Sequence, residues 1–250
     1  MRRILWSLLS VSVVAGCGSS SGGNPESTSR AQIVVTHAVL GAVVTELVDG
    51  AADVKVLVPN GIDPHEWEPS AKDIEALDHA DLVVANGLDL ESRLIEVLDR
   101  AEDDGVPVFR ATDHVDVRSG GDEHGHEGVD PHFWTDPIEM SQVVVALSAR
   151  LDAIGIDVDG KELSDEYKKL DAQVHDVLAG ISNRVLVTGH ESLGYFADRY
   201  DFELVGAVIP GMSTEVEATA SNLSALKDAM KAATRTSGPI RTRCHRSSSH

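Results

Sequence analysis

The sequence predicts an α/β protein of two lobes, each a parallel sheet flanked by helices, joined by one long rigid helix, with the second lobe incomplete. Three observations predict it. Short apolar, β-branched runs alternate with helix-like stretches, the pattern of parallel strands covered on both faces. A long polar helical stretch, Glu162 to Leu178, interrupts that alternation with little apolar face of its own, which suits a connector. The alternation then resumes for only about two more strands.

In chain order, Gln32 to Thr36 is the first strand and Val39 to Val48 the first helix. Val54 to Val58 is the next strand, and Ala71 to Leu77 a short helix with Ser70 as its N-cap. Asp81 to Ala85, Leu90 to Ala101 and Val106 to Phe109 read as strand, helix and strand. From Arg110 to Asp130 the chain turns acidic and Gly-rich, which reads as a mobile surface loop. Pro137 to Leu151 is helical. After the polar connector come a strand at Arg184 to Val187, a helix at Ser192 to Arg199, a strand at Phe202 to Val208 and a helix at Ala218 to Ala232. The expected division is therefore 1–17 signal peptide, 18–31 flexible tether, 32–161 first lobe, 162–181 connecting helix, 182–233 partial second lobe and 234–250 aberrant tail. A two-stranded unit covers its helices poorly, so the chain reads as cut short or out of frame near Thr234, where Arg and Ser take over.

The first segment reads as targeting rather than fold. Arg2 and Arg3 precede an apolar run, Ile4 to Val14, too short to span a bilayer. It closes in Val14-Ala15-Gly16-Cys17, which resembles the bacterial lipobox, with cleavage before Cys17 and lipidation of that cysteine. Ordinary secretion with a chance cysteine is the alternative, although a Gly/Ser tether follows directly. The other cysteine, Cys244, could not pair with a lipidated Cys17, so no disulfide framework is expected. A net charge of -20 argues against nucleic acid and anionic lipid faces as partners. It suits a protein handling cations, and a solvated acidic surface equally well.

The strongest chemical signal is an internal echo. Asp63-Pro64-His65-Glu66-Trp67 recurs as Asp130-Pro131-His132-Phe133-Trp134, 67 residues later, and each copy leads through a Pro-containing turn into a helix. Ligands of open α/β sheets bind outside the carboxyl ends of the strands, so two histidines on similar loops at that edge can converge. Imidazole nitrogen suits zinc and its neighbours, whereas calcium and magnesium prefer oxygen cages. Proline stiffens each loop, each tryptophan can shield the site from water, and Asp63 and Asp130 can orient the imidazoles. For one copy, a loop histidine beside a strand end is the plainer reading; two copies outweigh it. His190, in Val187-Thr188-Gly189-His190-Glu191-Ser192, is a third candidate at a strand end, although alone it reads as readily as a helix-start histidine.

The other histidines carry less. His37 ends the first strand, where it packs or lines the cleft. His124 and His126, among acids, suggest accessory metal capture by composition alone. His79, His114 and His175 read as surface residues, and His245 and His250 lie in the aberrant tail. Two rival functions fit the same features. A zinc-dependent surface hydrolase would use three histidines and an open position, with Glu68 or Glu191 as base, but no His-Glu-x-x-His helix or nucleophile elbow is present. An adhesin-like surface lipoprotein would not need His65 and His132.

Taken together, the lipobox, Val58 to Ser70, Ala80 to Gly87, Asp130 to Trp134, and Val187 to His190 with Gly194-Tyr195-Phe196 resemble the zinc/manganese-type solute-binding proteins of bacterial ABC importers, the TroA-like group. The resemblance covers roughly residues 32 to 233. It implies metal held in a cleft between two α/β lobes, with His65 and His132 as the first two ligands and His190 at the third position. Histidine at that third position tilts the metal toward Zn2+, with Mn2+ or Fe2+ as alternatives. A fourth, acidic ligand of the family falls in a late segment with no counterpart in this sequence; water, Glu191 or His37 are the candidates to replace it. The implied role is capture without catalysis, for delivery to the permease and ATPase of an importer. The chain is expected as a lipid-anchored monomer on the extracytoplasmic face, with no nucleic-acid partner. Affinity is expected to fall as pH drops through the histidine range.

Overall fold

A computed structural model describes residues 30–120 and 128–236. Cys17, His124, His126 and the end of the tail lie outside the described residues. The first sheet is built from β1 (Ala31–His37), β2 (Ala52–Val58), β3 (Leu82–Ala85) and β4 (Val108–Arg110), all parallel in the order β2-β1-β3-β4. Strand β1 is apolar at consecutive positions because both faces are covered. Ile33 and Val35 enter the core against α1 (Ala38–Val48) and α4 (Pro137–Ala153). Val34 enters the opposite core with Leu77 of α2 (Ala71–Asp78) and Leu98 of α3 (Ile95–Asp103). Helix α1 rides directly on β2; a Cβ on Gly41 would overlap the Val56 side chain.

The chain leaves β1 toward β2 on one side and reaches β3 on the other, so β1 and β3 flank the switch point whose carboxyl edge forms a natural crevice. Ser70 is the N-cap of α2 as expected, and Asp73 completes a capping box with it. Asp136 caps α4 by accepting the Ile138 N–H at 2.8 Å, with Pro137 in the first helical turn.

Two expectations change. The base of the Arg110–Asp130 loop is not loose: Thr112 and Ala111 are buried, and β5 (Ser119–Gly120) pairs antiparallel with β6 (Gly128–Val129). The connector α5 (Lys161–Leu178) does own an apolar face over its first turns. Leu163 is buried there and Tyr167 packs against the α4 core; beyond them Leu170 and Val177 are exposed. Polar residues on its remaining faces hide this stripe in the sequence.

The second sheet pairs β7 (Val185–Thr188) with β8 (Glu203–Ala207) in parallel, with α6 (Gly194–Tyr200) between them in sequence and α7 (Ala220–Thr236) following. Arg184 closes the end of α5 by donating to the Leu178 and Ile181 carbonyls at 2.7 and 3.0 Å. Its guanidinium also lies 4.9 Å from the centre of the Phe202 ring. No described helix is long and apolar enough to cross a membrane.

Candidate metal centre

The loop after β2 delivers His65 to the carboxyl edge of the first sheet. Asp63 shapes it by accepting the His65 backbone N–H at 3.0 Å. The second copy of the motif folds the same way, with Asp130 accepting the His132 backbone N–H at 2.9 Å. This loop follows β6 rather than a strand of the main sheet, and Asn86 fixes it there. The Asn86 amide, at the end of β3, donates to the Pro131 carbonyl at 3.0 Å, and its oxygen meets His37 Nε2 at 3.2 Å. Beneath it the buried Glu91 accepts the Thr36 hydroxyl and the Asn86 N–H, the latter at 2.8 Å. Burial pushes the Glu91 carboxyl up. His190 arrives from the second sheet, two residues beyond β7.

These three histidines meet. His132 Nε2 lies 3.3 Å from His65 Nε2 and 3.2 Å from His190 Nε2, and one ring nitrogen from each falls within 4.8 Å of the others. Zinc–imidazole bonds of about 2.0–2.1 Å in a tetrahedron place neighbouring nitrogens ~3.3–3.4 Å apart. The two separations from His132 match that edge. Hydrogen bonding within the triad satisfies it less well. His132 Nδ1 lies 2.8 Å from the Asp130 carboxylate, which places the ring proton there and leaves Nε2 as a single lone pair facing two neighbours. A shared cation satisfies all three rings at once.

The electrostatics favour neutral, ligating imidazoles. Burial, with His132 close by, lowers His65 to about 4 against the opposing pull of Asp63. His190 is lowered by the same two causes. His37, buried beneath the site, is also lowered to about 4, chiefly by burial, although its bond to Asn86 resists.

The supporting residues divide unevenly. Asp130 orients an imidazole; Asp63 holds only its histidine's backbone, and its second oxygen accepts the Thr214 hydroxyl at 2.7 Å. Trp134 packs edge-on against His132 with ring centres 5.2 Å apart, whereas Trp67 joins the core on the α2–α3 face. Of the candidates for a fourth position, His37 is engaged with Asn86, and Glu191 lines a cavity of about 610 Å³ beside β8 and α7. Neither joins the triad. His79, His114 and His175 are exposed. Arg118 and Thr214 escape motif reasoning, and Asn86 enters it only within the Ala80–Gly87 stretch, with no role attached. Asn86 carries a faint signal, a turn-favouring polar residue ending an apolar strand; Thr214 carries none.

The family profile for the periplasmic zinc-uptake complex component A, ZnuA, matches residues 33–236. The chain is 29% identical to the manganese-binding lipoprotein MntA of Halalkalibacterium halodurans over 230 residues, covering 88% of this chain and 73% of that protein. It is 31% identical to the zinc-binding protein TroA of Treponema pallidum over 237 residues, covering 90% and 74%. The solved structure of that periplasmic zinc-binding protein superposes with a TM-score of 0.65 at 26% identity, covering 81% of this chain and 84% of the other. With a parallel α/β fold, a histidine triad at its carboxyl edge and a profile match spanning most of its length, the chain belongs to the ZnuA family of periplasmic zinc-uptake components.

Proposed function

We propose that the chain is the extracytoplasmic solute-binding component of an ABC metal importer, and that His65, His132 and His190 hold the cargo ion between two lobes. The lobes are residues 32–161 and 182–233, joined by the connector at 162–181 that α5 forms over most of its length. The observation that supports this reading is the convergence of three imidazole nitrogens from both lobes, with His132 at tetrahedral-edge distance from each of the other two and all three within 4.8 Å. An all-nitrogen donor set with a hydrogen-bonded supporting carboxylate suits zinc better than manganese, whose preference runs to oxygen. The ion is bound and released without turnover, and the carrier passes it to a permease and its ATPase. Cys17 carries the lipid that keeps this monomer at the membrane face, and His124 and His126 give accessory capture.

Calorimetric titration with zinc and manganese tests the proposal. One zinc per chain is expected, with weaker manganese binding and loss of zinc binding in the His65→Ala/His132→Ala double variant. A double variant that binds zinc as tightly as the parent, or zinc-dependent ester or peptide hydrolysis by the parent, would contradict it.

A further inference from the structure

The two aspartates of the repeat divide their carboxylates in the same way. In each, Oδ1 accepts the N–H of the histidine two residues on. In each, Oδ2 leads to the second lobe. Asp63 Oδ2 accepts the Thr214 hydroxyl at 2.7 Å, from the loop between β8 and α7. Asp130 Oδ2 lies 3.4 Å from Arg118 Nη1, and Arg118 Nε donates to Asp198 on α6 at 2.6 Å. The Arg118 backbone N–H also donates to the Tyr195 hydroxyl on α6 at 3.0 Å.

Both routes end beside His190. Helix α6 begins at Gly194, and the loop carrying Thr214 accepts the Glu191 N–H through the Gly211 carbonyl at 3.1 Å. The fit at α6 is close: a Cβ on Gly194 would overlap the Arg118 guanidinium and the Asp130 carboxylate. The Arg118 link is buried at its Asp130 end and exposed at Asp198, and a further inter-lobe pair, Arg199 on α6 with the buried Asp136 at 2.8 Å, stands independently of both routes. Asp130 is fully buried, so its bonds act in a weakly screened medium. The Arg93–Glu215 pair is about two-fifths exposed on both sides and contributes little.

We propose that Thr214 and Arg118 are positioning residues for metal retention. Through the outer oxygens of Asp63 and Asp130 they clamp the second lobe, and His190 with it, onto the two histidine loops of the first. The same carboxylate that shapes each histidine loop also closes the cleft, so opening the lobes loosens the loops. This rests on the reading of the triad as the metal site.

The test compares the parent chain with Thr214→Val, Thr214→Ser, Arg118→Met and the Thr214→Val/Arg118→Met double variant. Zinc release into a chromophoric chelator is followed together with the melting temperature of the metal-free protein. Thr214→Val and Arg118→Met should each speed release at least about tenfold, the first losing one hydrogen bond to a carboxylate and the second two, one of them long at 3.4 Å. The double variant should release about a hundredfold faster, and Thr214→Ser should restore the parental rate. A parental rate in Thr214→Val, or acceleration that only tracks a lowered melting temperature and is not rescued by serine, overturns the clamp.

A second readout uses no metal. Spin labels at the exposed Lys72 and Lys227, introduced as cysteines with Cys17 and Cys244 replaced by serine, report the distance between lobes. A distribution broadened in the double variant supports the clamp, and an unchanged one overturns it. If the parent fails to bind zinc the metal reading fails, and the label distances still decide whether these residues hold the lobes together.

Discussion

His132 turns its Nδ1 to Asp130, so its metal-facing nitrogen is set before any ion arrives. Asp130→Asn removes the charge that fixes this tautomer and should weaken zinc binding by about 10–100-fold in chelator competition. Asp63→Asn, whose carboxylate touches no imidazole nitrogen, should weaken it less; equal losses would contradict the difference drawn between the two copies. His37 makes a separate prediction about stability. Its folded value of about 4 lies below the 6.5 of an unfolded histidine. Between those values the unfolded chain takes up a proton that the folded one refuses. The stabilisation is therefore complete above pH 6.5 and is lost as pH falls toward 4, by roughly 3 kcal/mol in full. His65 and His190 act in the same direction, whereas Glu91, whose buried carboxyl keeps its proton longer, acts in the opposite one. Denaturant unfolding at pH 7 and pH 5 should show a smaller difference in His37→Gln than in the parent. An identical difference would mean that His37 does not titrate as described.

At the scale of elements, α4 holds the first lobe together. Leu147 is fully buried between the sheet and α5, and Leu147→Ala should cost about 2–5 kcal/mol in denaturant unfolding. A loss below about 1 kcal/mol would show that the helix is not seated as described. Most elements could be read from the residues, because the strands of the first sheet are short runs rich in β-branched and apolar residues and several helices have a local stop or cap. Ser70 with Asp73, and Asp136 before Pro137, mark helix starts within a few residues of chain. The two strands β5 and β6 could not be read: they are two residues long and Gly-bearing, and pairing rather than propensity makes them. The apolar stripe of α5 was obscured because only Leu163 and Tyr167 face α4 before the helix leaves the core.

Across the whole molecule, the candidate site follows from chain topology more than from local pattern. Two repeat loops and one strand-end loop are visible as residues; what brings them together is not. Asn86, Thr214 and Arg118 act over 45, 151 and 12 residues of sequence, and no spacing rule reaches those partners. The enclosed site also moves the expected pH response. Exposed imidazoles would lose zinc near pH 6.5. With His65 held at about 4 and His190 lowered, the loss of affinity on acidification should set in below pH 6.5. A midpoint near 6.5 in titrations across this range would mean that the site is open to water.

Zinc X-ray absorption on the loaded chain and on His190→Ala tests the inter-lobe triad most directly. The parent should show a shell of three imidazole nitrogens at about 2.0–2.1 Å, and the variant should retain two, those of His65 and His132. A parent shell without imidazole, or an imidazole count unchanged by His190→Ala, would contradict a metal held between the two lobes.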